Sequence, residues 1–476
     1  VEEILSVGID IGTTTTQVAF SRLQIKNVAS YFSVPKVEIT GKEVVYRSGI
    51  HFTPLTSDTL IDGDGVRHIV EGEFQKAGFC PGDTSTGAVI ITGESARKEN
   101  ARIVTENLSH FAGDFVVSTV GPDLEAVIAG KGSGAWRHSI EQNCIVANLD
   151  IGGGTTNIAV FDRGDTATTG CYDIGGRLIC VEGGRICWVS PAVAMVAAEL
   201  GISLRVGKEA DAESLSRVTV RMAEVLEEAL KFGKKSPLED KLRTAGSTAL
   251  RLVRPPDAVC FSGGVADCIF NPPQLPFPYG DIGALLGRSV SQSRLMHQAR
   301  VLRSAETIRA TVIGAGTYTT TVSGSTIAYT EQLLPLKNIP CLKLTDKEEA
   351  SLLAGEVQFL AEAMYRFLQQ NDCGRLMLAI RGPKNPGYAQ LKDMGRAIAA
   401  AWRWAVPESV PVLVATERDI AKALGQMLRA ALDSKRDIVC IDGVNISHGD
   451  YIDMGRPLQN GTVIPVVVKT LLFGGE

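Results

Sequence analysis

The sequence has no C-x-x-C pair, no basic block, and no apolar run near the roughly 20 residues a membrane helix needs. Each absence removes a class of function. Its ten cysteines (Cys80, Cys144, Cys171, Cys180, Cys187, Cys260, Cys268, Cys341, Cys373 and Cys440) are scattered, without zinc-site or thioredoxin spacing. Cys144, Cys260 and Cys440 fall inside apolar, strand-like runs, where a free thiol acts as a small hydrophobe. That usage suits a reducing cytoplasm. A net charge of −5 over 476 residues offers no electrostatic hold on nucleic acid or a membrane surface. The opening V-E-E-I-L-S is acidic and enters a strand at once, so no signal peptide is expected. A hydrophobic content of 45% and a charged content of 21% describe a globular chain, long enough for about two to four domains.

Glycine, by contrast, is abundant, and some of it is patterned. Asn148 to Phe161 reads N-L-D-I-G-G-G-T-T-N-I-A-V-F. This is an apolar strand ending in Asp150, a turn of Gly152, Gly153 and Gly154 with Thr155 and Thr156, and a second apolar strand. Glycine takes the φ > 0 conformations of a concave nest, whose bare N–H groups close on phosphate oxygens. Asp150 at the strand end suits a hydrated divalent cation. Alone, the stretch is equally a plain β-turn. Val7 to Phe20, V-G-I-D-I-G-T-T-T-T-Q-V-A-F, repeats it: Asp10 falls on Asp150, and Thr15 and Thr16 on Thr155 and Thr156, with Gly12, Thr13, Thr14 and Thr15 as the loop. A structural turn has little reason to recur with the same aspartate and threonines, whereas two loops facing one nucleotide do. The repeat predicts a duplicated fold with one phosphate loop per half.

Other stretches fall into order around these two. Gly121 to Ala135 reads as a turn, a small-residue helix and a glycine-rich end, which suits a hinge between lobes. Asp257 to Asp267, D-A-V-C-F-S-G-G-V-A-D, is a buried strand ending in Ser262, Gly263 and Gly264, where a flat ring can lie against bare backbone. Asp281 to Val290 reads as a second small-residue helix, comparable with Ala126 to Gly130. Thr311 to Ile327 reads as β-rich, with Gly314 and Gly316 at a strand bend. Gly175-Gly176 looks like a turn at a strand end. Ile61 to Val70 carries Asp62 and Asp64 but lacks the remaining ligands of an EF-hand, and reads as a hairpin turn. On the amphipathic helix of Leu215 to Phe232, Glu224, Glu227, Glu228 and Lys231 are assigned mostly to a solvated face. Beyond about Thr330, helices at Lys347–Gln369, Tyr388–Ala405 and Arg418–Leu432 alternate with strands at Leu376–Ile380, Val410–Ala415 and Ile438–Ile441. That alternation predicts a parallel α/β unit with a terminal hairpin.

The ordered set is a loop at Asp10 and Gly12 to Thr15, a connecting helix after Gly121, a loop at Asp150 and Gly152 to Thr156, the Ser262-Gly263-Gly264 turn, and a second connecting helix at Gly283 to Gly287. It resembles the acetate and sugar kinase, heat-shock chaperone and actin superfamily. The resemblance implies an α/β fold of duplicated actin-like (ribonuclease H-like) ATPase lobes with an additional C-terminal α/β unit. Residues 1–147 would form the first lobe with insertions, 148–330 the second lobe and 331–476 the C-terminal domain. It further implies ATP in a cleft between lobes, Asp10 and Asp150 holding Mg2+ through water, and an acidic or amide side chain near the first connecting helix that positions the attacking water. Asp123 and Glu125 are the candidates for that last role, and the register leaves both open.

Within the superfamily, several stretches resemble the ethanolamine ammonia-lyase reactivating factors. They are I-T-G-E-S-A-R-K-E-N-A (Ile91 to Ala101), G-P-D-L-E-A-V-I-A-G-K-G-S-G-A, N-L-D-I-G-G-G-T-T-N-I-A-V-F, C-F-S-G-G-V-A-D, and the tail from I-D-G-V-N-I-S-H-G-D to V-V-V-K-T-L-L-F. The resemblance implies an ATP- and Mg2+-dependent, chaperone-like factor, a slow ATPase rather than a metabolic enzyme. It would release damaged cobalamin from ethanolamine ammonia-lyase so that adenosylcobalamin can rebind. The expected partner is that protein client, with neither nucleic acid nor membrane; a homodimer and association with a bacterial microcompartment stay open. A small-molecule kinase of the same superfamily and an actin-like scaffold ATPase are the alternatives. Direct cobalamin binding is not expected: His110, in L-S-H-F-A-G, approaches the base-off pattern D-x-H-x-x-G, but Leu108 stands where the aspartate belongs.

Overall fold

The first strand shows how the N-terminal lobe is layered. In β1 (Glu2–Ile11), Val7, Ile9 and Ile11 point to one face, and Ser6, Gly8 and Asp10 to the other, as the two-residue period of a strand requires. The computed structural model describes residues 2–13, 15–28, 37–57, 60–92, 95, 98–112, 116–120, 122–318, 321–324, 326–370, 374–432, 436–447, 450–458 and 461–470. β2 (Thr15–Asn27) runs antiparallel to β1, and β3 (Val37–Arg47) antiparallel to β2. Beyond α1 (Gly63–Ala77), β4 (Thr84–Ile91) lies parallel to β1; beyond α2 (Ala101–Ala112), β5 (Val116–Val120) lies parallel to β4. The sheet order is β3-β2-β1-β4-β5. Val7, Ile9, Ile11, Val18 and Phe20 pack with Val66, Val70 and Phe74 of α1 and Val104 and Leu108 of α2 to make this lobe's core. The Asp62 stretch expected as a hairpin turn is instead the start of α1: Asp62 is its N-cap, and Oδ1 accepts from Gly65 N–H at 3.0 Å.

α3 (Pro122–Gly132) leads into the second lobe. β6 (Ile145–Ile151), β7 (Thr156–Asp162) and β8 (Asp165–Tyr172) form an antiparallel meander. After α4 (Ala212–Ala229), β9 (Ala258–Ser262) lies parallel to β6; after α5 (Gly283–Ser291), β10 (Arg300–Val301) lies parallel to β9. The order β8-β7-β6-β9-β10 repeats the first lobe strand for strand and direction for direction. This is the predicted duplication. Two of the glutamates assigned to the solvated face of α4 are anchors instead. Glu227 is buried and accepts from Arg294 N–H at 2.7 Å, and half-buried Glu228 meets Arg221 at 2.8 Å.

Between the two sheets lie two crossing helices, α3 and α6 (Ala310–Tyr318). α3 follows the first lobe yet packs on the second, where a Cβ added to Gly130 would sit 2.5 Å from the Phe161 ring. α6 follows the second lobe and returns to the first, where a Cβ on Gly8 of β1 would lie 2.1 Å from the Val312 carbonyl oxygen. The helices touch backbone to backbone: Cβ atoms on Gly132 and Gly314 would fall 1.9 and 2.1 Å from the carbonyl oxygens of Ala310 and Ile128. The sequence reading placed the second connecting helix at Gly283 to Gly287 and a strand bend at Gly314 and Gly316. The structure places both differently. α5 packs inside the second lobe against Ala266–Phe270 and α4, and the stretch around Gly314 is the connecting helix.

The segment after α6 enters a third sheet. β11 (Thr321–Val322), β12 (Ala328–Tyr329), β13 (Leu336–Lys343), β14 (Met377–Ile380), β15 (Val412–Thr416), β16 (Ile438–Asp442), β17 (Asp450–Met454) and β18 (Pro465–Thr470) stand in the order β11-β18-β17-β13-β14-β15-β16-β12. Strands β13 to β16 are parallel, and β17 with β18 is the terminal hairpin. Helices Asp346–Leu353, Val357–Gln370, Tyr388–Ala405 and Ala421–Ala431 cover one face around buried Trp402. This unit meets the first lobe through Val463, which packs with Ile4, Leu23 and Ile25.

Candidate functional site

Asp10 and Asp150 are the penultimate residues of the equivalent strands β1 and β6, so the duplication brings both carboxylates to one cleft between the lobes. The cleft holds about 580 Å3. Of the predicted residues, Asp10, Gly12, Thr13, Thr15, Glu125, Asp150, Gly152, Gly153, Gly154, Thr155, Gly263 and Gly264 line it. Thr14 and the side chain of Asp123 lie outside the described residues. Thr156 and Ser262 are placed elsewhere. Thr156 is fully buried and donates to the Ile174 carbonyl at 2.7 Å. Ser262, also fully buried, donates to Asp150 Oδ1 at 2.6 Å and accepts from Asn148 Nδ2 at 3.0 Å.

The two glycine turns share one geometry. Gly12 N–H donates to the Thr15 carbonyl at 2.8 Å, and Gly152 N–H to the Thr155 carbonyl at 2.9 Å. Each turn is braced from behind. Thr53 and Ser95 hydroxyls both donate to the Gly12 carbonyl at 2.9 Å. Under the second turn, Gly176 N–H and Arg177 N–H donate to the carbonyls of Gly152 and Gly153 at 3.0 and 2.7 Å. The Gly175-Gly176 pair is therefore the support of the second loop. A Cβ on Gly175 would stand 2.3 Å from the Gly153 carbonyl oxygen, so only glycine allows that approach.

The electrostatics of the cleft favour an incoming cation. Among the described residues, five carboxylates line it (Asp10, Glu125, Asp150, Asp267 and Asp281), with Arg177 the one basic side chain. Burial raises the Asp10 carboxyl from its ordinary 3.8 to about 7; the Thr92 hydroxyl, donating at 3.0 Å, opposes the rise, and the nearby Asp150 charge adds to it. Burial also pushes Asp150 up, against donations from Ser262 and from Thr311 at 3.3 Å. Two such carboxylates become comfortable as anions only when positive charge lies between them. Among the described residues no cluster of three or more His, Cys, Asp or Glu could hold a metal ion. An ion at this pair would thus keep most of its water, as Mg2+ does.

The segment from Ser304 to Thr311 ties the cleft to both lobes. Ser304 donates to the Phe261 carbonyl at 2.7 Å, and Thr307 to Asp267 at 2.8 Å. On the other side, Arg47 pairs with Glu306 at 2.7 Å, and Arg309 donates to the Ser48 carbonyl at 3.1 Å. Sequence reasoning missed Gln17, Thr92, Asn157, Arg177, Asp267, Asp281 and Thr311, all of which line the cleft. Only the amides left a signal: Gln17 and Asn157 stand at the same offset from Asp10 and Asp150. His110 is exposed on α2 and is not among the lining residues.

Two lobes of one topology, each ending a strand in an aspartate beside a glycine turn and closing on a common cleft, define a duplicated actin-like fold. The chain belongs to the family of ethanolamine utilisation protein EutA, whose family model matches residues 2–474. It is 38% identical over 472 residues to the ethanolamine ammonia-lyase reactivase EutA of Salmonella typhimurium, covering 99% of each chain. It is also 38% identical over 477 residues to the protein of that name from Escherichia coli, again covering 99% of each. Among solved structures, component A of the (R)-2-hydroxyglutaryl-CoA dehydratase of Acidaminococcus fermentans matches 66% of this chain and 96% of its own, at 12% identity and a TM-score of 0.34. EutJ of Carboxydothermus hydrogenoformans matches 66% and 89%, at 18% identity and a TM-score of 0.33.

Proposed function

We propose that this protein is an ATP- and Mg2+-dependent reactivating chaperone for ethanolamine ammonia-lyase. The observation that carries the reading is the 38% identity to curated reactivases across 99% of both chains. The cleft supports it independently of any name, with two glycine turns of one geometry, an acidic lining that calls for a cation, and lobes joined by two crossing helices. In this reading the turns at Gly12 and Gly152 receive the phosphates, and Gly263 and Gly264 the nucleoside. Asp10 and Asp150 grip the hydrated cation, and Glu125 orients water. Bound Mg2+ would supply charge neutralisation between phosphates and carboxylates. The chain's own part is mechanical. Loops on opposite lobes meet one ligand, so ATP and ADP stabilise different lobe separations. A client surface on either lobe then changes affinity with the nucleotide, which is how differential binding drives a conformational change.

The client step would be release of damaged cobalamin, followed by uptake of adenosylcobalamin by the lyase. The test is to inactivate ethanolamine ammonia-lyase with cyanocobalamin, then add this protein, adenosylcobalamin and Mg-ATP. Lyase activity should return, and should not return without ATP. Stoichiometric phosphorylation of a small acceptor, with no recovery of the lyase, would assign the cleft to a kinase instead. Cell fractionation reads whether the protein works free in the cytoplasm or with a microcompartment, and sedimentation of the purified chain reads whether it pairs as a homodimer.

A further inference from the structure

Gln17 and Asn157 are cleft residues that the carboxylates and glycine turns leave without a task. The duplication puts them in matching places, Gln17 directly across the hairpin from Asp10 and Asn157 across from Asp150. They are 3% and 2% exposed, and both line the cleft. Gln17 Nε2 donates to the Ile308 carbonyl at 3.3 Å, which fixes the orientation of that amide. The oxygens, Gln17 Oε1 and Asn157 Oδ1, are buried without a hydrogen-bond partner.

A buried acceptor left unpaired is costly, and two at equivalent positions on the walls of one cleft call for a ligand that pairs them. That ligand must donate hydrogen bonds, because an amide oxygen only accepts. Phosphate oxygens have no proton to give at neutral pH, so a phosphate is the wrong partner. Water polarised by a cation is the right one. Charge supports the same choice, since two further carboxylates here would add repulsion to a pair that burial already disfavours as anions, whereas amides add acceptors without charge.

We propose that Gln17 and Asn157 accept hydrogen bonds from the water shell of a divalent cation held between Asp10 and Asp150. Two charged and two neutral acceptors then grip the hydrated ion, and none of the four touches the metal. The inference rests on the nucleotide-cleft reading above. It predicts that the site recognises the ion's shell and is indifferent to the metal inside it.

The probe is the exchange-inert β,γ-bidentate tetraamminecobalt(III) complex of ATP, whose ammines donate hydrogen bonds as water does but cannot be displaced. Binding is measured by calorimetry on the full chain. The natural protein should bind this complex within about threefold of MgATP. Gln17→Leu and Asn157→Leu should each lower the ratio of MgATP affinity to metal-free ATP affinity by about tenfold or more, the range set by loss of outer-shell partners. Gln17→Glu, which keeps an acceptor, should hold the ratio, and Gln17→Met is the alternative apolar variant should Gln17→Leu fold poorly. Leucine variants with an unaltered ratio would overturn the proposal. So would a natural protein that binds MgATP but rejects the cobalt complex, because direct ligation would then be required. A natural protein that binds no nucleotide in any form would instead remove the cleft reading itself.

Discussion

Replacing Asp10 by Asn should stabilise the ligand-free protein above pH 7 and abolish its response to a divalent cation. Asp10 is 8% exposed at the end of β1, and its carboxyl is raised from 3.8 to about 7. The folded chain therefore keeps a proton that the unfolded chain releases near pH 4. Stability from this group is complete below pH 4, declines as pH rises, and is lost once pH passes about 7. A shift of about three units is worth roughly 4 kcal/mol. Asparagine has the same shape, keeps an oxygen for the Thr92 hydroxyl, and never ionises. The variant should match the natural protein near pH 4 and exceed it by about 2–4 kcal/mol at pH 8. Urea unfolding at several pH values reads the difference, and adding MgADP should stabilise only the natural protein. A pH-independent difference, or a variant less stable at pH 8, would refute the reasoning that burial and the Asp150 charge make Asp10 a strained anion.

Three further outcomes follow from the same geometry. Ser262→Ala removes the hydroxyl that donates to Asp150 at 2.6 Å, so the Asp150 carboxyl should rise further. MgATP affinity should then fall about tenfold, more at pH 6 than at pH 8, as read by calorimetry. Gly314→Ala places a Cβ where a backbone carbonyl stands 2.1 Å away, so α3 and α6 must separate. Overpacking of that kind costs about 1–3 kcal/mol, and small-angle scattering should show the nucleotide-dependent change in lobe separation reduced or gone. Glu73→Gln strips the charge from a fully buried side chain that meets Tyr46, Lys76 and His51 at 2.7, 2.6 and 2.9 Å. It should destabilise the first lobe by about 2–4 kcal/mol in urea while leaving the second lobe's transition in place.

Much of the molecule was legible because its signals are local. The C-terminal unit was readable from period and length, and the helix expected at Tyr388–Ala405 has those bounds. The two Asp–glycine–threonine stretches were readable because a repeat is visible without knowing what it packs against. The errors share a different cause. Thr311 to Tyr318 is rich in β-branched residues, which favour a strand locally. It is helical because its backbone docks against Gly8 on one side and Ile128 on the other, contacts that are remote in sequence. Gly283 to Gly287 was read as that crossing because its small residues suit a close approach, and composition does not show which helix reaches the other lobe. Ser262 adjoins two glycines in sequence, and only strand register puts it opposite Asp150 with its hydroxyl bonded to that carboxylate.

The chain by itself determined that the fold is duplicated and that each half carries an aspartate and a glycine turn, since repetition and backbone freedom are properties of residues in order. Tertiary structure alone decided which helices cross between the lobes and which side chains brace the turns. It also decided that a Gln and an Asn face the cleft with unpaired oxygens. Those outcomes depend on which distant backbone comes within a few ångströms, and that is settled by packing two sheets around two helices with no room for a Cβ between them.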